Sequence, residues 1–474
     1  MTSIAISESA RARRRGPALV LLTMSLGVLI AQLDSSVVNL AAKRIAGDLG
    51  LGVSALQWVI DAYNLVYASL LLTGGTLADL YGRRRLFAIG IGLLIAGSLV
   101  CGLAPNGATL IAGRALTGLG AALELPTSLA ILTVAYPDKA QRARALGIWA
   151  SCNGLAFVIG PTLGGVLVDH GGWRSIFFMV VPVCAAALVL AMTVVPESRD
   201  PQGRRLDLPG QALAILALAA LAFAVIEGPH WGWTSPVTLA CAGTGVVAGL
   251  AFPRVQAGRR GALVPLDLFA QRPFSASLAV AGLMTFGMYA MLFLTPLYLQ
   301  AVRGASAWWA GLELLPMSVA FVIVSQASGW IVDRFGSRFA MTAGMGLMGT
   351  GLLMLLGIGM PGELALIETA LLVIGVGLGL NTGPVVGVAV GSVAAARSGT
   401  ASGLVNTARM IGATLGIAVL GALFAAFAGQ AAQNGPGFIP GLRAAYLGGA
   451  IGELIGAAIA FIGIPAHRPK TKRS

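Results

Sequence analysis

The feature that most restricts this chain is a train of about fourteen apolar stretches, each near the ~20 residues a helix needs to cross a bilayer. They run almost without pause from roughly residue 18 to residue 464, separated by short segments rich in Arg, Gly and Pro. Soluble globular chains carry about 25% charged residues, whereas this one carries 10% and is 57% hydrophobic. Such a chain has too little polar surface to face water, so lipid must be its solvent. Its 65 glycines suit helices packed closely in a bilayer, where small residues let backbones approach. The expected fold class is an all-α integral membrane protein.

The net charge of +13 first suggests a nucleic-acid partner, but the placement of the charges excludes it. Arg11, Arg13, Arg14 and Arg15 precede a first apolar run that shows no cleavage site and reads as a full span. If each apolar run crosses once, Arg83 to Arg85, Lys139, Arg142, Arg144, Arg204, Arg205, Arg259, Arg260, Arg334, Arg338 and the Arg468–Arg473 cluster share that first side. The other side receives only Lys43, Arg44, Arg174, Arg303 and Arg443. This bias predicts that both termini are cytoplasmic, in a multi-pass protein of the cell's inner membrane. Cys101, Cys152, Cys184 and Cys241 lie in apolar runs, and His170, His230 and His467 are scattered, so no metal site is expected.

The chain repeats itself. Gly75-Thr-Leu-Ala-Asp-Leu-Tyr-Gly-Arg-Arg-Arg85 closes the second span and Gly329-Trp-Ile-Val-Asp-Arg-Phe-Gly-Ser-Arg338 closes the tenth. Both read G-x-x-x-D-x-x-G-x-R between the second and third spans of a six-span unit, the mark of two homologous halves. The expected organisation is an N-terminal tail (1–17), a six-helix bundle (18–195), a linker with two extra spans (196–270), a second six-helix bundle (271–464) and a C-terminal tail (465–474).

Charges inside a span are costly and point to function. Asp34 lies ~24 Å into the first span, Asp61 ~10 Å into the second from the other side, and Arg114 at a similar depth in the fourth. An Asp–Arg pair facing a polar cavity would lower the cost of burying each, leaving a second carboxylate to take up and release a proton. Glu124 lies ~15 Å beyond Arg114 with no cation nearby in sequence and Pro126 beside it to bend the helix. It is expected to carry a proton or to attract a cationic substrate. Asn39, Tyr63, Tyr289, Glu313, Asn381, Arg409 and Glu453 are further cavity candidates, and Trp58, Phe286 and Trp308 are aromatic ones.

At this point the chain resembles a known family. The loop built on Gly75, Asp79, Gly82, Arg83 and Arg84 is similar to motif A of the major facilitator superfamily, where it latches the two halves on the cytoplasmic side; Leu80 stands where a basic residue is usual. The stretch containing Gly147, Gly160, Pro161, Gly164 and Gly165 resembles motif C, which marks exporters, with Ala156 in place of a usual glycine. Arg114-Ala-Leu-Thr-Gly-Leu-Gly-Ala-Ala122 looks like motif B, associated with proton transfer, with Thr117 where Gln is common. Asp34 with Val37, Val38 and Asn39, Gln57-Trp-Val-Ile-Asp-Ala-Tyr63 and Arg205-Leu-Asp-Leu-Pro-Gly210 resemble the fourteen-span drug:proton antiporter branch of methylenomycin-resistance type.

The resemblance implies a major facilitator fold, two six-helix bundles plus two inserted helices. It also implies a proton-coupled antiporter that exports small hydrophobic or cationic compounds by alternating access. Its partners would be a small-molecule substrate, protons and the lipid bilayer; it would work as a monomer, with the proton gradient as energy source and no cofactor. The alternative is a proton-coupled transporter of one metabolite, such as a peptide importer, whose first span would carry an E-x-x-E-R pattern where this chain has Gln32-Leu-Asp-Ser-Ser36. An enzyme would need a nucleophile–base pair or metal ligands, and neither pattern is present.

Overall fold

The computed structural model describes residues 2–200, 206–259, 261–394, 397–428 and 435–466. The side chains of Arg11, Arg13, Arg14 and Arg15, together with Arg204, Arg205, Arg260 and residues 467–474, on which part of the expected charge pattern falls, lie outside the described residues.

Among the described residues, fourteen helices are long and apolar enough to span a membrane: α1 (Gly16–Leu49), α2 (Val53–Tyr81), α3 (Arg83–Gly102), α4 (Gly107–Ala135), α5 (Lys139–Gly171), α6 (Arg174–Val194), α7 (Leu208–Trp231), α8 (Pro236–Gln256), α9 (Arg272–Ala301), α10 (Ala307–Phe335), α11 (Ser337–Gly357), α12 (Glu363–Gly391), α13 (Ser398–Ala428) and α14 (Phe438–Gly463). A bilayer offers nothing to bond a bare backbone, so each crossing satisfies its own amides as a helix. Helix starts are fixed by side-chain caps: Asn106 accepts from Thr109 N–H, Asp138 from Gln141 N–H and Ser306 from Trp309 N–H. α10 breaks at Leu314, just ahead of Pro316, whose ring removes a backbone donor. An even number of crossings leaves the start of α1 and the end of α14 on one face, the terminal face.

The helices pair in the same way twice. In the first half α1 packs on α5 and α6, α2 on α4, and α3 on α4 and α6. In the second, α9 packs on α13 and α14, α10 on α12, and α11 on α12 and α14. Glycines set the closest approaches in both. A Cβ on Gly90 would lie 2.8 Å from the Gly120 carbonyl oxygen, and one on Gly344 would lie 2.8 Å from that of Gly377. Likewise Gly118 meets the backbone of Tyr63 and Gly375 that of Met317, at 3.0 and 2.9 Å from the respective Cα. The turns of the repeated loop match too: Gly82 and Gly336 sit at φ 112° and 87°, a backbone region that favours glycine.

The inserted helices are peripheral. α7 and α8 pack mainly on each other, and α7 also lies against α2 and α13. Only 17% of the apolar window of α8 is buried, against 72% for α2 and 78% for α9, so α8 faces lipid while α2 and α9 are central. Asp207, just before α7, ties the insert together: it accepts from Gly210 N–H (3.1 Å), Gln256 Nε2 (2.5 Å) and Leu263 N–H (3.0 Å), and pairs with Arg259 at 3.3 Å. Burial alone would raise its carboxyl, but the Gln256 amide, the two backbone donors and Arg259 outweigh it and hold the group below the usual carboxylate range. A lowered folded-state value means that this joint is whole above the ordinary carboxylate pKa and is lost only as pH falls through the lowered one. Asp207→Ala is expected to cost about 1–2 kcal/mol of local stability, read as faster amide exchange at Gly210 and Leu263.

Candidate functional site

A cavity of about 860 Å³ lies between the halves, lined by α1, α2, α4 and α5 on one side and α9, α10, α12 and α13 on the other. Its walls use the terminal-face portions of these helices: Leu129 is near the end of α4, Gly147 near the start of α5, Val386 near the end of α12 and Ser402 near the start of α13. The cavity therefore opens to the terminal face. Its surface is mainly apolar and soft, with Met284, Met288 and Met410 beside Trp149, Phe157 and Phe321, the last two rings packed edge to face at 5.6 Å. Methionine and aromatic walls adapt to varied apolar bodies.

Toward the opposite face the halves are bolted together. Lys43 Nζ donates to the Gln300 carbonyl (2.6 Å), and Gln300 Nε2 returns a bond to the Leu40 carbonyl (2.9 Å), joining α1 to α9. Asp169 at the end of α5 accepts from the Ala307 and Trp308 N–H groups at the start of α10, at 3.1 and 2.8 Å. Gln57 Nε2 of α2 donates to the Ile417 carbonyl of α13 at 2.9 Å. The cavity is thus open at the terminal face and sealed at the other.

The intramembrane charges fall into separate places. Asp34 of α1 and Arg114 of α4 form an ion pair of 2.5 Å, each side chain 1% exposed. Arg114 also donates from Nε to the Val59 carbonyl and lies 4.7 Å over the ring of Tyr63, whose hydroxyl donates to the Ala31 carbonyl. The pair thus stitches α1, α2 and α4 inside the first half; it does not line the cavity. Asp61 sits elsewhere, where α2 meets α13 between the halves, fully buried and facing the Thr414 hydroxyl, with no cation within ion-pair distance among the described residues. Arg114 therefore serves Asp34 and leaves Asp61 without a cation.

Several expected cavity residues are elsewhere. Glu124 is fully buried inside the first bundle, packed against Gly27 and Gly90, with no hydrogen-bond partner among the described residues. Its neighbour Leu125 reaches the cavity and Glu124 does not, so contact with a cationic substrate has no geometric basis in this state. Asn381, at the repeat position that matches Glu124, is likewise buried in its own bundle and donates to the Gly377 carbonyl. Glu453 is buried between α14 and α9, against Gly287. Asn39 is buried in α1, Tyr63 is occupied by Arg114, and Glu313 lies at the break of α10 beside Glu368. Trp58 donates to Glu227 of α7, Phe286 packs under Gly416, and Trp308 belongs to the sealed face. Of the candidates, Tyr289 and Arg409 line the cavity. Neutral residues missed in the sequence add to its polar lining, Gln32, Tyr67, Ser325, Gln326, Thr382 and Asn406 among them. Nothing in the cost of burying a charge could have flagged them.

Comparison with known proteins decides the family. The Major Facilitator Superfamily profile matches residues 24–417. The chain belongs to the major facilitator superfamily. It is 41% identical over 409 residues to "Multidrug resistance protein Stp" of Mycobacterium tuberculosis, covering 86% of this chain and 76% of that protein. It is 35% identical over 409 residues to "Methylenomycin A resistance protein" of Bacillus subtilis, covering 85% and 87%. Among solved structures, a bacterial homologue of the lysosomal transporter Spinster, described as inward-facing and unoccupied, superposes with a TM-score of 0.69 at 19% identity, covering 94% and 97% of the two chains, which shows the shared fold. The chain is thus a multi-pass membrane transporter and not an enzyme.

Two stretches that pointed to the superfamily have clear positions. In the motif A-like loop, Arg83 bonds Asp79 at 2.8 Å, and Glu197 beyond α6 accepts from the Arg84 and Arg85 N–H groups. The Ser198 carbonyl takes the Arg83 N–H. These bonds tie the loop to the segment that follows α6. In the motif C-like stretch, Gly160 and Gly164 face Ser36 and Val37 of α1, while Gly165 faces the backbone of Ala307 and Trp308 and the Pro161 carbonyl contacts Gly311. Its glycines therefore place α5 against α1 on one side and against α10 of the other half on the other. Gly147, by contrast, has open space around it and borders the cavity.

Proposed function

We propose that this major facilitator protein exports small hydrophobic compounds, antibiotics among them, in exchange for protons. The observation that carries the reading is the apolar, methionine- and aromatic-walled cavity open to the terminal face and sealed at the other. The names of the relatives, a multidrug resistance protein and a methylenomycin A resistance protein, support the export of drugs. The Lys and Arg bias makes the terminal face cytoplasmic, so the cavity collects compounds from the cytoplasm and the inner leaflet of the cell membrane. The transporter works as a monomer, since each chain holds a whole cavity between its halves, and it uses the proton gradient with no cofactor.

Asp61 is the coupling group in this reading. It lies where α2 and α13 meet, so separating the halves at the outer face brings it to external water. Sealing that face removes it from water with no cation beside it, and an isolated carboxylate in such a site costs several kcal/mol or more. The seal therefore accepts Asp61 in its neutral form, and closing the outer face carries a proton with it. Glu124 and Glu453, each within one bundle, keep their surroundings as the halves rock. Glu124→Gln and Glu453→Gln are expected to leave proton-driven transport within about threefold of wild type, because each keeps the shape of a side chain that stays inside a single bundle; flux in everted vesicles checks this.

The export reading itself is tested by Nile red efflux from energised cells that lack their own drug pumps. Cells expressing the protein are expected to lose the dye faster than vector controls, and a protonophore is expected to abolish the difference. Equal retention of Nile red and of a panel of hydrophobic antibiotics in both strains would overturn export.

A further inference from the structure

Arg409 is the only charged side chain among the described residues that line the cavity. Its backbone is anchored by Thr285 Oγ1, which donates to the Arg409 carbonyl at 2.6 Å across α9 and α13. One guanidinium nitrogen, Nη2, donates to the Thr382 carbonyl at 2.9 Å. Nε is buried with no partner, and no Asp or Glu among the described residues lies within ion-pair distance. The contrast with Arg114 is informative. There the chain supplies a carboxylate to the buried guanidinium; here it supplies a neutral carbonyl and leaves the charge facing the open space.

A half-buried cation without a counter-ion is destabilising unless something offsets it. A guanidinium also presents planar N–H donors suited to a carboxylate or another oxyanion. The cavity it faces is lined by Tyr289, Met284, Met288 and Met410 among others, with no acidic group among the described lining residues to attract a cation. We propose that the cavity's substrate subsite is centred on Arg409 and takes hydrophobic organic anions, a carboxylate or ionised phenol carried on an aromatic or alicyclic body. This rests on the export reading above and narrows its substrate class. It also displaces cationic compounds from the expected substrates, since the cavity meets them with like charge.

The test uses the full chain in nanodiscs with tritiated 2-naphthoate as the probe, and 2-naphthamide and 2-naphthylmethylammonium as competitors of the same shape. Wild type is expected to prefer naphthoate over the amide by about tenfold or more, the size of a hydrogen bond to a charged group, with the ammonium compound weakest. Arg409→Gln is expected to abolish the preference for naphthoate over the amide, and Arg409→Lys to retain a reduced preference. The wild-type ranking decides even if a variant fails to fold. An ammonium compound that competes as well as naphthoate, an absence of naphthoate binding, or a folded Arg409→Gln with an unchanged preference would overturn the proposal. Nile red efflux by wild type separates the two levels: efflux without any anion preference removes the Arg409 subsite alone, whereas no efflux removes the export reading beneath it.

Discussion

Replacing Asp34 with alanine is expected to destabilise the protein by about 3–5 kcal/mol, because it leaves the Arg114 charge buried and uncompensated. The side chains of the pair are 1% exposed and their bond is 2.5 Å, so neither water nor another acidic group is at hand to replace the carboxylate. Arg114 would keep its bond to the Val59 carbonyl and its place over Tyr63, and neither supplies negative charge. The double substitution Asp34→Asn with Arg114→Gln removes both charges and is expected to recover at least half of that loss, since breaking a buried pair costs far more than replacing it. Thermal unfolding in detergent of the single and double variants measures this directly. Equal destabilisation in the two would mean that the pair does not act as a unit.

Gly311→Val is expected to hold the outer face open. A side chain at Gly311 collides with the Pro161 carbonyl of α5. The partner is backbone, which cannot swing away as the end of a side chain can. Gly165 sits beside this contact, where a Cβ would lie 2.6 Å from the Trp308 Cα. Overpacking of this kind costs about 1–3 kcal/mol, and the cost falls on the sealed state alone, because the two helices belong to different halves. A penalty of that size shifts the balance between the two arrangements by about 5- to 150-fold. Spin labels at Arg44, whose side chain is 49% exposed, and at Val302, 41% exposed, report the gap between α1 and α9 at that face. The distance is expected to lengthen in Gly311→Val and transport to fall by about fivefold or more. An unchanged distance would show that the α5–α10 contact does not govern closure.

These two sites show what the sequence could reveal and where it had to stop. Asp34 and Arg114 stand out because a charge in a bilayer is costly, and helix rise alone puts them at one depth. The fourteen spans and the repeated loop were legible for the same reason: lipid enforces long apolar helices, and a duplicated turn keeps its glycine, as Gly82 and Gly336 do. Azimuth was not legible. Successive residues on a helix point about 100° apart, so Leu125 enters the cavity while Glu124, one step back, is turned into its own bundle. Depth estimates placed Asp61 with Arg114, but only the packing of α2 on α13 shows that it belongs to the seam between the halves. Gln32, Gln326 and Asn406 gave no signal, because a neutral amide in an apolar run is ordinary. Arg409 was visible as a charge in a span, yet its lack of a carboxylate partner is a property of the fold.

The most direct measurement is proton movement in proteoliposomes carrying an internal pH dye and Nile red, with wild type compared to Asp61→Asn. Wild type is expected to accumulate the compound against its gradient while protons move the other way. Asp61→Asn is expected to stay folded, to exchange Nile red passively down its gradient, and to lose gradient-driven accumulation by at least about tenfold with no accompanying proton flux. Proton-coupled accumulation at the wild-type level in Asp61→Asn would contradict the assignment of coupling to the seam between α2 and α13.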